Sequence, residues 1–372
     1  MTSVYTVLIA AGLSCLVTAV LAGLLVVAER YLVNYGQCTV DVNDGAEKFE
    51  VRGGNSLLMT LRNQGIYIPS ACGGKGTCAY CKVKIPPDGG GGPVAPTEEP
   101  LLTEQELKDN WRISCQCKVR EDVRLYIPEE LLYVKEFEGV LERVRDLTHD
   151  IKELRIKLTE PPEIDFVAGQ YIQLEAPPYA KNPESVFRAY SVSSNPSEKD
   201  HVELIVRLVP GGICTTYVFE HLKEGDPVRF TGPYGEFRLT DNDRPMVWIA
   251  GGSGMAPFWA MVRMMKEKGI ERDTTYFFGA VQKRDMFYVE ELRALEKELP
   301  WFHYKPALSG DLSGQEWDGE TGLITEVVDR HIEDGKNLEG YLCGSPGMID
   351  ASIQVLRDKG IPESQIFYDK FA

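Results

Sequence analysis

The sequence predicts a multidomain α+β protein: an N-terminal transmembrane helix, a small β-grasp module, a six-stranded antiparallel barrel and a doubly wound α/β domain. Three observations lead there. Val4 to Ala28 carries no charge over 25 positions. Four of the nine cysteines then stand in an ordered series, Cys72, Cys78, Cys81 and Cys115. Beyond them, short alternating strand patterns give way near Asp243 to alternating strand and helix, opened by a glycine-rich turn.

At about 1.5 Å per residue, Val4–Ala28 would span roughly 37 Å as a helix, against about 30 Å of hydrocarbon. Its polar residues Thr6, Ser14 and Thr18 can return their hydroxyls to the helix's own carbonyls. A signal peptide needs a positive leader and a short apolar core; no Lys or Arg precedes this run, and it is too long. The run is therefore expected to be a single-pass anchor in the cell inner (cytoplasmic) membrane, and Arg30 just after it favours a cytoplasmic side for the domains that follow. The formal charge of −16 excludes non-specific nucleic-acid binding, which needs basic surface. The five histidines show no HxH or HExxH spacing, which argues against a histidine metal site.

The cysteine loop reads Ala71-Cys72-Gly73-Gly74-Lys75-Gly76-Thr77-Cys78, with Cys81 two residues further on. Three glycines between thiolates let backbone N–H groups turn toward the sulfurs of a negatively charged cluster. Zinc ribbons prefer two CxxC pairs, and only one is present. Flanking strand patterns at Cys38–Val42, Lys48–Val51, Cys81–Ile85 and Val123–Ile127, with a short helix at Ser56–Gln64, resemble a plant-type [2Fe–2S] ferredoxin. The first gap is five residues where that pattern has four. Cys115 and Cys117 both offer a fourth ligand; on a strand they would face the same side, and Cys115 is preferred. Pro86 to Pro93 reads as a surface loop. Thr103 with Glu106 three residues on predicts a capped helix over Leu101–Asn110.

From Val134, strand patterns at Phe137–Arg145, Ile151–Leu158, Gln170–Ala176, Ala189–Ser193, Val202–Leu208 and Pro227–Thr231 predict the barrel. Arg188-Ala189-Tyr190-Ser191 sets a cation and a ring on one strand face, suited to a cofactor phosphate and a flavin. Gly211-Gly212-Ile213-Cys214-Thr215-Thr216 precedes a predicted helix Tyr217–Leu222, whose free N–H groups would meet a pyrophosphate. Next, strand Met246–Ala250 runs through Gly251-Gly252-Ser253-Gly254-Met255-Ala256-Pro257 into helix Phe258–Lys268. This is a dinucleotide-type turn without the strict GxGxxG. Cys343-Gly344-Ser345-Pro346 ends a later strand at the same edge. Expected boundaries are 1–33 for the anchor, 34–133 for the cluster module, 134–240 for the barrel and 241–372 for the nucleotide domain.

Taken in order, RAYS, GGSGMAP, Gly279-Ala280 through Asp285 to Phe287-Tyr288, and CGSPGM resemble the ferredoxin–NAD(P)⁺ reductase superfamily. With the anchor and cluster module ahead, the chain resembles the family of F subunits of the sodium-translocating NADH:quinone oxidoreductases. That family shares the five-residue cysteine gap, the Arg284–Glu290 stretch and a C-terminal phenylalanine, here Phe371. One departure is that only Pro177–Phe187 separates Ala176 from Arg188, where the family carries a long insertion.

The resemblance implies hydride transfer from NADH to FAD, then single electrons to the [2Fe–2S] cluster and on to a membrane complex reducing ubiquinone, with ion pumping. It implies that Arg188 holds cofactor phosphate, Tyr190 stacks on the flavin and Ser191 bonds near its reactive nitrogen, with Ala189 between them in the cofactor site. Gly212, Thr215 and Thr216 would serve the pyrophosphate. Nicotinamide would enter between Gly251, Gly252, Gly254, Ala256 and Pro257 on one side and Cys343 and Gly344 on the other, passing Phe371. Partners would be integral-membrane subunits. The alternative is a membrane-tethered NADH-dependent reductase for an oxygenase, desaturase or corrinoid protein. Gln282, Lys283 and Arg284 leave the nucleotide preference ambiguous, and Asp285 and the family point to NADH.

Overall fold

The computed structural model describes residues 11–24, 35–70, 72–180, 182–312 and 316–371. The two ends of the expected anchor, residues 4–10 and 25–28, lie outside them; residues 11–24 are helical and exposed, and Thr18 Oγ1 donates to the Ser14 carbonyl at 2.9 Å. Among the described residues no helix is long and apolar enough to cross a membrane. The remainder forms two units. The first runs to Ile68 and resumes from Gly74 to Leu132; the second takes Pro69–Gly73 and everything from Tyr133.

In the first unit, β1 (Gln37–Val42) pairs antiparallel with β2 (Glu47–Arg52), while β3 (Lys82–Lys84) pairs with β4 (Trp111–Ile113). The fifth strand, β5 (Val123–Leu125), lies parallel to β1. Period-two alternation puts Cys38, Val40 and Val42 inside with Leu57, Leu61, Val83, Ile113 and Leu125. The helix Leu57–Asn63 is capped by Ser56, whose Oγ accepts from Met59 N. The predicted capping box is present on Glu104–Lys108, between Thr103 and Glu106; this helix is shorter than expected because Glu99–Leu101 forms a separate 3₁₀ turn.

The Pro86–Pro93 loop is more than a surface turn. Arg112 donates to the carbonyls of Gly91, Gly92 and Pro93 and to Glu98, and both partners of that ion pair are buried. Glu98 in turn accepts from Ala95 N and Ile113 N, and these bonds with Arg112 hold its carboxyl below the usual carboxylate range despite burial.

The second unit opens with β6 (Lys135–Asp146), β7 (Ile151–Glu160), β8 (Tyr171–Ala176), β9 (Val186–Ser191), β10 (His201–Arg207) and β11 (Pro227–Tyr234). They form one antiparallel sheet in the order β10-β7-β6-β11-β8-β9. All six expected strands are there. The sheet is a curled half-barrel, its two edges meeting at a single bridge between Val192 and Leu204.

The nucleotide half has six parallel strands in the order β15-β14-β13-β12-β16-β17. They are β12 (Met246–Gly251), β13 (Thr274–Ala280), β14 (Phe302–Leu308), β15 (Glu320–Thr321), β16 (Glu339–Gly344) and β17 (Ile366–Lys370). Aromatic and aliphatic side chains led by Trp248, Phe258, Tyr276 and Phe278 fill its core.

Candidate active site

Sequence order runs outward in one direction from β12 through β13, β14 and β15, and in the other through β16 and β17. The crevice between β12 and β16, at their carboxyl ends, is therefore the topological switch point where doubly wound sheets bind ligands. The turn after β12 is a 3₁₀ turn Gly252–Gly254 leading into the helix Met255–Lys268, three residues earlier than the sequence pattern places it. Two of its glycines are required. Gly252 has φ +56, and a Cβ on Gly254 would stand 2.2 Å from the Cys343 carbonyl oxygen and 3.0 Å from Gly344 Cα. Ala256 and Pro257 are buried in the first helical turn, where proline's missing N–H costs nothing.

Three further residues gather at the same edge. Pairing of β16 with β17 sets Asp369 beside Cys343 and Lys370 beside Gly344. The chain then bends so that Phe371 N donates to the Gly344 carbonyl at 2.9 Å, and the Phe371 ring packs on the nucleotide-domain core. Cys343 is fully buried, and burial, with Asp369 nearby, pushes its thiol well up, so it stays neutral. Burial pushes the Asp369 carboxyl up to about 6, opposed by its contact with the Ser191 hydroxyl. Ser191 Oγ is itself buried without a hydrogen-bond partner of ordinary geometry. Sequence reasoning missed Asp369. No local pattern marks it, because it meets Cys343 only through the pairing of β16 with β17.

Register places Arg188 opposite Leu174 and Tyr190 opposite Ile172, so both share the face that carries the barrel core. Ser191 lies on the other face, opposite Tyr171. Within the named strands, β9 pairs only with β8, and a planar group laid along its free edge can be met from both faces. Arg188 Nη1 donates to the Phe187 carbonyl at 2.7 Å. Burial, and then Cys214, raise the Tyr190 phenol well above its ordinary value, so it remains neutral.

The Gly211–Thr216 loop differs from expectation. The helix begins at Ile213, runs only to Thr216 and continues as a π-turn over Tyr217–His221. The Thr215 hydroxyl is taken up inside the loop, bonding the backbone of Val209 and Gly212. Gly212 is still required, since a Cβ there would lie 2.6 Å from Thr215 Oγ1. Thr216 is half-buried one residue on.

In the first unit, Cys115 and Cys117 occupy a turn after β4, so strand parity does not apply to them. Gln116 N and Cys117 N both bond the Ile113 carbonyl, and the two thiols diverge. Cys115 contacts Cys81, whose thiol is raised by that contact and by burial. Cys117 is buried and its Sγ donates to the Gly91 carbonyl at 3.4 Å. Gly74 and Gly76 take φ of +86 and +72, wrapping the loop against Cys115 and Gln116. Cys78 is half-buried, and Cys72 is buried in Pro69–Gly73, which goes with the second unit. Among the described residues no three His, Cys, Asp or Glu side chains are grouped as a single metal ion requires. The Cys81–Cys115 contact, with a positive-φ glycine loop closing on Cys115, instead suits the thiolate chemistry of an iron–sulfur cluster.

Comparison with known proteins agrees with this anatomy. Residues 40–120 match the 2Fe-2S iron-sulfur cluster binding domain, 138–239 the oxidoreductase FAD-binding domain and 248–354 the oxidoreductase NAD-binding domain. The F subunit of the Na(+)-translocating NADH-quinone reductase of Neisseria meningitidis serogroup B is 36% identical, over 95% of this chain and 96% of that protein. Its counterpart from Pseudomonas aeruginosa is 34% identical over 99% of both.

The chain belongs to the family of NADH-quinone reductase F subunits. It is an NADH oxidoreductase with FAD and a [2Fe–2S] cluster as cofactors. The alignment with the meningococcal protein extends over 395 residues, longer than the 372 of this chain, so that relative carries segments absent here. Among solved structures, the Amycolatopsis cytochrome P450 reductase is 27% identical with a TM-score of 0.70, covering 90% of this chain and 98% of that one. The ferredoxin reductase of carbazole 1,9a-dioxygenase is 25% identical with a TM-score of 0.68, covering 91% and 99%.

Proposed function

We propose that this chain is the NADH-oxidising subunit of a membrane complex that reduces quinone and pumps ions, anchored at the inner membrane by Val4–Ala28 with its catalytic domains on the cytoplasmic side. The observation that carries the redox half is the convergence of Gly254, Cys343, Asp369 and Phe371 at one switch point, with the orphaned Ser191 hydroxyl against Asp369.

FAD, when bound, accepts the hydride pair of NADH and releases it as single electrons. The protein's part is placement. Arg188 turns from the Phe187 carbonyl to a cofactor phosphate, and Tyr190 offers a neutral ring along the β9 edge. Ser191 presents its hydroxyl, which lies against the Asp369 carboxyl, as the polar group nearest the flavin's place. Gly212 and Thr216 offer backbone and hydroxyl groups to the pyrophosphate, while Thr215 fixes the loop behind them. Gly251, Gly252 and Gly254 leave backbone space for the nicotinamide beside Cys343 and Gly344. Phe371 covers the flavin until the nucleotide displaces it. Cys72, Cys78, Cys81 and Cys115 hold the cluster. After β13, Asp285 accepts from Gln282 N and sets a negative charge 3.8 Å from Arg284, and this, with the family resemblance, favours NADH over NADPH.

Deleting Met1–Val33 tests the membrane role. NADH:ferricyanide activity should persist, because the flavin needs no anchor, while NADH-driven quinone reduction in membranes should collapse. Quinone reduction at the full membrane rate by the truncated protein would refute the pump-subunit reading. The alternative, a tethered reductase serving an oxygenase, is favoured by the P450 and carbazole dioxygenase reductase structures. It predicts rapid electron delivery to a soluble acceptor and none to quinone.

A further inference from the structure

The stretch that follows β13 runs to Met286-Phe287-Tyr288, and these three residues have no role in the scheme above. In the structure it ends on an unusual residue. Tyr288 is a non-glycine at φ +54, directly before the helix Val289–Glu298, and it is buried. Its hydroxyl donates to Glu153 on β7, across the seam between the half-barrel and the nucleotide domain. Its ring stacks on Trp259 at 4.6 Å and 18°, with the Arg145 guanidinium 5.2 Å from its centre on the barrel side.

Glu153 belongs to a charge cluster in which the carboxylates are buried and the arginines partly exposed. Its other oxygen takes Arg143 at 2.8 Å. Neighbouring Glu203 on β10 takes Arg143 at 3.2 Å, Arg155 at 3.3 Å and Arg263 at 3.2 Å. Arg263 and Trp259 lie on the helix Met255–Lys268, which starts at the turn containing Gly254. The two turns that face the nucleotide, after β12 and after β13, are thus tied to strands β6, β7 and β10 through one polar seam. A buried carboxylate that loses one of its donors is costly to leave unpaired, so the seam has a defined closed geometry.

We infer that Tyr288 is a positioning residue for hydride transfer: its phenol, bonded to Glu153, fixes the nucleotide-binding turns against the flavin-binding half-barrel. The inference rests on the NADH-to-flavin step alone and is independent of quinone reduction. Tyr288 itself bonds Glu153, and Glu203 of the same seam is bonded through its backbone to Ser193 and Ser194, just after Ser191, so the effect reaches the chemistry through the placement of these elements. Misplacement on the order of 1 Å costs up to about 10²-fold in rate.

The test is stopped-flow reduction of the FAD-loaded, full-length protein by NADH and by NADH deuterated at the transferred position. With Tyr288→Phe, the limiting rate of flavin reduction should fall about tenfold or more, with an altered isotope effect. NADH affinity should stay within about twofold, as expected for a loss confined to the reacting geometry. Flavin content should be unchanged. Glu153→Gln keeps an acceptor oxygen for the phenol and should retain more of the rate than Glu153→Ala. Wild-type flavin reduction in Tyr288→Phe would overturn the inference. So would a loss expressed wholly in NADH affinity, which would make Tyr288 a nucleotide contact, or one that tracks flavin loss, which would make it merely structural.

Discussion

Gly254→Ala is the sharpest perturbation of the proposed nicotinamide crevice. The new Cβ would sit 2.2 Å from the Cys343 carbonyl oxygen and 2.6 Å from its carbon, where contacts below 3.0 Å are not tolerated. The obstacle is backbone on the central strand β16, so no rotamer change relieves it. The turn and the strand end must part by roughly 0.8 Å or more, an overpacking strain of about 1–3 kcal/mol. That corresponds to a fall in Tm of about 2–4 °C per kcal/mol when the whole second unit, Pro69–Gly73 with Tyr133–Ala372, unfolds together. Because the turn and Cys343-Gly344 form the two walls of the crevice, the same displacement should lower kcat/KM for NADH by about 10- to 100-fold. The assay is NADH:ferricyanide turnover with flavin content and Tm measured on the same sample. Gly347→Ala serves as control, since nothing lies within 4 Å of its added carbon and it sits in the first turn of a helix. Wild-type kcat/KM in Gly254→Ala, with Tm lowered as expected, would place nicotinamide elsewhere.

Two other outcomes are expected. Cys115→Ala should abolish the [2Fe–2S] EPR signal of the dithionite-reduced protein, whereas Cys117→Ala should keep it and lose about 1 kcal/mol of stability with the Gly91 hydrogen bond; a signal lost only with Cys117 would reverse the assignment. Asp369, with its native carboxyl raised to about 6 from an ordinary value of 3.8, binds its proton more tightly when folded, so it costs stability as pH rises between those values. Asp369→Asn should therefore match wild type below about pH 4 and exceed it by about 1–2 kcal/mol at pH 8, after allowance for the partial exposure of Asp369. A constant difference in denaturant midpoint across pH would rule this out.

Local patterns were legible and non-local ones were not. Strand alternation, the Thr103–Glu106 capping box and the glycine turn after β12 are fixed by residues within a few positions of one another. The sequence therefore located them to within three residues. Gly254 is the instructive case. Its type could be read as backbone proximity, but what it approaches, the Cys343 carbonyl, stands far along the chain and is brought there only by the parallel pairing of β12 with β16. The fourth cysteine went the other way. Parity could not separate Cys115 from Cys117 while both were placed on a strand. The Ile113 carbonyl bonds two successive N–H groups and makes a turn there, and the turn sends the thiols apart.

The same logic explains why the stretch ending at Tyr288 could be recognised and not understood. A phenylalanine–tyrosine pair after a strand reads as core, and Phe287 is core, packed edge-on against Phe278 at 5.6 Å. Tyr288 departs from that reading because of its positive φ, which turns its side chain out of the helix it precedes and toward the barrel. The cost of that conformation, about 1–2 kcal/mol for a side chain other than glycine, must be offset by what the side chain reaches. It reaches a buried carboxylate on β7, 135 positions earlier in the chain, ringed by arginines. No periodicity connects positions so far apart. A buried Glu between β-strand neighbours Leu154 and Lys152 is an isolated anomaly in sequence, and it becomes intelligible only once the fold supplies the phenol that needs it. The local rule is broken at the seam between the flavin-binding and nucleotide-binding halves, which is where a reductase must hold donor and acceptor in register, and a strained residue there is a reason to look for function.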